Sequence, residues 1–193
     1  MCKHLLDRFV YWLIKQKIFH NFVSMKQFTT TRTESWKSRK IRWGMNVWPC
    51  VWCSGGKVEF IAGDFKELHV SIKRNIRTWN RVGTVYGGSI YSSVDPYFML
   101  MLLEILGKDY VVWDKGASMK FVRPIIEKVK CRFLIDDETI ATIKQKAKEE
   151  GEYTFELPLK YEDDKGTVYA VFHKTVYAAS KEFYKNKLAA RKG

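Results

Sequence analysis

The sequence predicts an α+β fold, an antiparallel sheet wrapped around a long central helix, with an N-terminal helical extension. Three observations predict it. Residues 98–106 (Phe-Met-Leu-Met-Leu-Leu-Glu-Ile-Leu) are apolar nearly all round, which calls for burial on most sides rather than along one stripe. The segments on either side of them alternate apolar and polar residues with period two, the pattern of half-buried strands. The order is strand, strand, long helix, then four strands with a helical insertion, and a sheet curled around a helix supplies such burial.

The elements follow in order. Residues 4–19 place Leu5, Leu6, Phe9, Trp12, Leu13 and Phe19 at spacings near 3 and 4, with charges between them, as in an amphipathic helix. Residues 29–42, rich in Thr, Ser, Lys and Arg, read as a linker or weak helix, and the Trp-rich stretch 43–52 as a short helix or loop over one end of the core. Val58 to Ala62 is a strand; Leu68, Val70 and Ile72 alternate with His69, Ser71 and Lys73 in a second. The long helix runs from about Gly88 to Leu106, with Gly107 placed to end it. Val111 to Val122, Lys128 to Ile135, Tyr153 to Tyr161 and Val168 to Tyr177 are the other four strands. Residues 136–151 have acids in the first turn, lysines later and Gly151 at the end, a capped helix. Asp163 to Gly166 is a hairpin turn. The chain divides into a basic extension (1–43), a main domain (44–182) and a basic tail (183–193).

The 193 residues, 46% of them hydrophobic, can build a real core. Of the net charge of +13, residues 1–43 contribute +8, ten Lys/Arg against Asp7 and Glu34. The basic extension has three readings: a helix docked on the core, membrane-surface contact, and, least favoured, nucleic-acid contact. Four cysteines without a secretory leader point to a reduced, cytoplasmic setting, and no apolar run reaches the roughly 20 residues of a membrane span. Cys50-Val-Trp-Cys53 has no second ligand pair, and His4, His20, His69 and His173 show no ligand spacing, so a buried, Trp-lined thiol pair is expected and no metal or other cofactor.

The chemistry concentrates in Asn80-Arg-Val-Gly-Thr-Val-Tyr-Gly-Gly-Ser-Ile-Tyr-Ser-Ser-Val-Asp95. Gly87 and Gly88 at a helix start leave N–H groups uncovered at the positive end of the dipole, where negative charge developing on an oxygen is stabilised. Asp95, in an otherwise apolar helix, is a candidate base or nucleophile; the competing reading makes it the N-cap of a new helix with Pro96 at its first position. Asp95 lies roughly 10 Å along a helix from those donors, so one chain hardly brings both to one carbonyl. A twofold-related copy does, which predicts a site shared in a homodimer. Asn80 either orients its own loop or contacts the ligand, and Tyr86 packs with its hydroxyl near the site. Asp114 is a second polar candidate, placed by alternation on a face with Gly116, Ser118 and Lys120 and opposite Lys115. Arg74, Arg77, Arg81, Lys120 and Arg123 are candidates for anionic phosphates.

At these residues the sequence resembles the hot-dog-fold thioesterases, and especially the phenylacetyl-CoA thioesterase-like branch, whose pattern of Asn, six residues, Gly-Gly and an acid eight positions after the first Gly is matched by Asn80, Gly87, Gly88 and Asp95. The longer string, with Val112-Trp-Asp-Lys and Phe121-Val-Arg-Pro124, is similar to a bacterial subfamily catalogued as a domain of unknown function, over about residues 44–180. The resemblance implies a hot-dog fold, an acyl-CoA or acyl-carrier thioester as ligand with coenzyme A as part of the substrate, Gly87 as oxyanion donor and Asp95 of the partner subunit as catalytic carboxylate. It implies hydrolysis by a homodimer or dimer of dimers, the alternative being a hot-dog protein that binds the thioester without cleaving it. Two departures stand out. The branch has His before the Gly pair where this chain has Tyr86, and the hydroxyl residue of many relatives on the next strand aligns near Asp114.

Overall fold

Six strands form one antiparallel sheet in the order β1-β2-β4-β5-β6-β3. They are β1 (Lys57–Ile61), β2 (Glu67–Ile72), β3 (Tyr110–Phe121), β4 (Val129–Leu134), β5 (Glu152–Glu162) and β6 (Val168–Ser180). Six helices accompany them: α1 (Trp36–Val47), α2 (Pro49–Ser54), α3 (Gly87–Ser92), α4 (Tyr97–Leu106), α5 (Asp137–Glu149) and α6 (Lys181–Ala190). The computed structural model describes residue 28 and residues 30–191, and these counts refer to them. The expected helix at 4–19 lies outside the described residues.

The central helix forms where expected but in two pieces. Pro96 has no N–H to donate and its ring crowds the carbonyl four residues back, so α3 stops at Ser92 and α4 restarts at Tyr97. The turn between them is tied down: Ser93 Oγ donates to the Ile90 carbonyl at 2.9 Å and meets Tyr161 Oη, fully buried in the sheet, at 2.7 Å. Tyr97, Phe98, Met101 and Leu102 of α4 are buried against the sheet, with Phe133 edge-on to both Tyr97 and Phe98. Phe98, Met101 and Leu102 each contribute about 1.5–3 kcal/mol through burial. These contacts seat α4 and, through the turn, fix where Asp95 stands.

The β5–β6 hairpin turns as expected, with Asp163 Oδ1 accepting from the Lys165 and Thr167 N–H groups and Gly166 at φ +82°. Helix α5 is capped by Asp136, whose side chain accepts from Thr139 N–H. One strand departs from simple alternation. The β3–β6 register shifts between Asp114 and Gly116, leaving Lys115 as the extra residue of a bulge. Asp114 pairs with Val176, while Ala117, Met119 and Phe121 pair with Lys174, Phe172 and Ala170. Asp114 therefore shares the helix-facing side with Ala117, Met119 and Phe121, and not, as alternation alone suggests, with Gly116, Ser118 and Lys120.

Of the two readings of residues 29–42, linker or weak helix, the helix holds from Trp36 onward, and residues 30–35 before it are tied to the sheet. Residues 30–35 strap the β1–β2 hairpin, with Thr30 Oγ1 donating to Glu67 at 2.8 Å, Gly63 N–H to the Thr33 carbonyl at 2.9 Å and Ile61 N–H to Glu34 at 3.2 Å. A reciprocal Ser35–Ser38 capping box then starts α1, which Asn46 docks on β1 through both amide atoms, to the Val58 carbonyl at 2.9 Å and from its N–H at 2.8 Å. The expected buried thiol pair is not formed. Cys50 and Cys53 are exposed, because α2 turns Val51 and Ser54 inward and its cysteines and Trp52 outward.

Candidate active site

Asp95 stands in the break between α3 and α4. Its side chain is 50% exposed and makes no helix cap: the N-cap of α4 is Pro96, with no side-chain cap bond, and Asp95 N–H reaches the Ser92 carbonyl only at 3.5 Å. The carboxylate turns instead to β6, where Lys174 Nζ donates to its Oδ1 at 2.9 Å.

Lys174 was not among the residues singled out from the sequence, and it organises the site. Along β6 it follows Ala170 and Phe172 and precedes Val176 on the helix-facing side, and its side chain is only 1% exposed. An ammonium in that position needs partners. It has two, Asp95 and, at 3.1 Å, Asp114 Oδ2 on the neighbouring strand β3. The bulge at Lys115 keeps Asp114 on this side while the rest of β3 completes its pairing with β6. Burial by itself would lower the Lys174 pKa, but the hydrogen bond and charge of Asp95 and those of Asp114 outweigh it and hold it above the ordinary lysine value. Burial pushes the Asp114 carboxyl up, against the pull of Lys174 and with the push of Asp95. Asp114 Oδ1 is buried without a hydrogen-bond partner among the described residues. The signal for Lys174 was present in the sequence, a cation at the apolar parity of an alternating strand.

At the other end of α3 the chain arrives extended through Tyr86. The first bond into the helix runs from Ile90 N–H to the Tyr86 carbonyl at 3.1 Å, so the N–H groups of residues 87–89 precede it, and none has an acceptor among the described residues. Two aromatic rings shape this end. A Cβ on Gly87 would stand 2.8 Å from Phe121 Cζ, and one on Gly88 2.3 Å from Tyr86 Cε1. Glycine at both places lets the rings close over the backbone.

The other candidates divide. Asn80 spends its side chain on its own loop, accepting from the Val82 and Thr84 N–H groups at 3.1 Å each and donating to Thr84 Oγ1 at 2.9 Å. It positions the loop that leads to Tyr86. Arg81 lines a surface depression with Trp79, Asn80 and Gly83. Arg123 donates to the Val168 carbonyl at 2.8 Å, in the segment whose Ile125 carbonyl accepts Val85 N–H at 2.8 Å, beside the start of α3. Arg74 and Arg77 are drawn to the Gly83 and Trp52 carbonyls. The structure thus joins Asp95 and Asp114 through Lys174, gathers Tyr86, Gly87, Gly88 and Phe121 at the helix start, and leaves Asn80 and Arg81 in the preceding loop.

Among the described residues no group of three His, Cys, Asp or Glu is arranged to hold a metal ion, and no helix is long and apolar enough to cross a membrane. Chemically, the chain presents a solvent-accessible carboxylate against a buried ammonium, and a helix start whose first N–H groups have no acceptor among the described residues.

Solved structures with this fold include a protein of Pseudomonas aeruginosa of unknown function, called a probable thioesterase (19% identity, 74% of this chain and 95% of that chain, TM-score 0.64). A protein of unknown function from Chlorobaculum tepidum (14%, 75% and 95%, TM-score 0.62) and a thioesterase of Haemophilus influenzae (11%, 78% and 96%, TM-score 0.55) superpose in the same way. At these identities the likeness shows the fold, the hot-dog arrangement of a helix held in an antiparallel sheet. Among curated proteins, none matches the chain. The family profile described as Domain of unknown function (DUF4442) matches residues 38–178, more than half of the sequence, from within α1 to within β6, and the chain belongs to that family.

Proposed function

We propose that the protein is an acyl-thioester hydrolase of the hot-dog type, acting on acyl-CoA or an acyl-carrier thioester as a homodimer. The thioester carbonyl lies against the Gly87 N–H of one subunit, and Asp95 of the other activates water or attacks the carbonyl carbon. Either route places negative charge on the same oxygen. The position of Asp95 carries this reading: a half-exposed carboxylate in a helix break, held by a buried cation from the sheet and released from capping duty. Its separation along the chain from the Gly87–Gly88 start is the reason for invoking two subunits. Arg81 and Arg123, near the loop and the helix start, are the cations offered for the coenzyme A phosphates, and Asn80 and Tyr86 act through the shape of the helix start.

The test is thiol release from a panel of acyl-CoAs of increasing chain length, with wild type and Asp95→Asn. The variant is expected to lose about 10²–10⁴-fold in kcat/KM. Undiminished turnover by Asp95→Asn would rule this mechanism out.

The contact between Lys174 and Asp95 favours a second reading, a protein that binds the thioester without cleaving it. An ammonium at 2.9 Å offsets the charge a nucleophile needs, and the helix start carries the phenol of Tyr86 in place of an imidazole. Saturable acyl-CoA binding with no thiol release from wild type selects this reading.

A further inference from the structure

We propose that the outer face of α1 and α2 is a membrane-surface site, docking the protein on bilayers that contain anionic phospholipid. The pattern of α1 supports two faces. Ile41 and Met45 pack on the core, with Ser38 fully buried on the same side. At 100° per residue, positions 36, 40, 43 and 47 fall in a sector about 60° wide on the opposite side. There stand Trp36, Lys40, Trp43 and Val47, with the three apolar side chains 68%, 74% and 72% exposed. Trp48 and Trp52 extend the apolar surface into α2, and both are exposed. A soluble face has no use for such a run of large apolar groups.

The charges around the run select the occupant. From residue 35 to residue 58 there are five Lys/Arg and no acid. From residue 73 to residue 86 there are four more and again no acid. The two segments meet where the Arg77 guanidinium lies 4.6 Å over the Trp52 ring and donates to the Trp52 carbonyl at 2.6 Å. Glu34 and Glu104 pair with Arg42 and Lys37 at the margins, whereas Lys40, 5.1 Å over the Trp36 ring, has no acidic partner among the described residues. Tryptophan and lysine interleaved on one helical face match the boundary of a bilayer, where indole rings sit among headgroups and cations meet lipid phosphates. A second copy of this face would set cations against cations. Residues 1–27, with five Lys/Arg against Asp7 alone, carry the same sign and match it no better.

The test is co-sedimentation of the full chain with vesicles of phosphatidylcholine alone or mixed equally with phosphatidylglycerol, comparing wild type with Trp36→Ser/Trp43→Ser/Val47→Ser. These side chains are exposed, and unchanged circular dichroism and melting confirm that the variant folds. The expected result is wild-type partitioning onto anionic vesicles that weakens in high salt and on neutral vesicles, and that falls at least about 10-fold in the variant. Wild type remaining in the supernatant with anionic vesicles overturns the proposal. So does a variant that partitions like wild type, which would place any binding elsewhere on the chain. Neither result bears on thiol release, so this inference and the hydrolase reading fail separately.

Discussion

Lys174→Met tests the organisation of the site most directly. Methionine matches the lysine stem in length and apolar character, so the substitution removes the ammonium and little else. Asp95 Oδ1 and Asp114 Oδ2 lie 2.9 and 3.1 Å from the one nitrogen, which places them no more than about 6 Å apart. Two unit charges at about 6 Å repel by about 3 kcal/mol at an effective dielectric constant of about 20. Half of the Asp95 side chain is open to water, which reduces this to about 1–2 kcal/mol. With the lost hydrogen bonds to two carboxylates, the variant is expected to lose about 2–4 kcal/mol at pH 7. The pH dependence has a definite sign. In the wild type Lys174 is held above its ordinary value, so its contribution is complete below that value and is lost only as pH rises through the folded pKa, outside the range 5–8. In the variant, Asp114, already pushed up by burial, loses the cation that pulled it down. The folded chain then binds a proton more readily than the unfolded one, and the variant gains stability relative to wild type as pH falls from 8 to 5. Urea unfolding followed by tryptophan fluorescence at pH 5, 7 and 8 reads both effects. A variant within about 0.5 kcal/mol of wild type at pH 7, or one that loses ground as the pH falls, refutes the account.

Two further outcomes are expected. Gly55→Ala should lower stability by about 1–3 kcal/mol, because the residue sits at φ +80° and its new methyl would lie 2.0 Å from Thr78 Cγ2; Thr78→Ser in the same chain should recover only part, and an unchanged melting temperature in the single variant contradicts both causes. Glu67, with 1% of its side chain exposed, has its pKa lowered: burial alone would raise it, but hydrogen bonds from Arg132, Thr30 and His69 prevail. That stability is present above the ordinary value of 4.5 and lost as pH falls through the folded pKa below it, so Glu67→Gln should weaken the fold by about 2–4 kcal/mol at pH 7 and flatten the acid limb; an acid-unfolding curve identical to wild type would contradict the assignment.

Local chemistry was readable from the chain. The hairpin at Asp163–Gly166, the Asp136 cap and the apolar run of α4 are set by residues within a few positions of one another, and each appears where the sequence places it. Pro96 was visible as a kink or a new helix start, and the structure realises the start without the Asp95 cap. What was not legible depends on distant residues. Lys174 is meaningful only beside Asp95, 79 positions earlier, and the face of Asp114 depends on a bulge whose one local signal is the isolated Gly116 in the strand. The strap of residues 30–35 reads as a linker because its polar side chains find their partners on β1 and β2.

The surplus residue at Lys115 makes β3 a strand with two readings, one for each half. Counting by twos from Val112 reaches Asp114 correctly and then misassigns every position to Phe121. A relative aligned without a gap but lacking the irregularity would therefore show its side chains reversed across the distal half, polar where this chain turns Met119 and Phe121 to the helix-facing side. Shortening the strand by one residue here would evert the aromatic that roofs Gly87 while leaving the composition almost untouched.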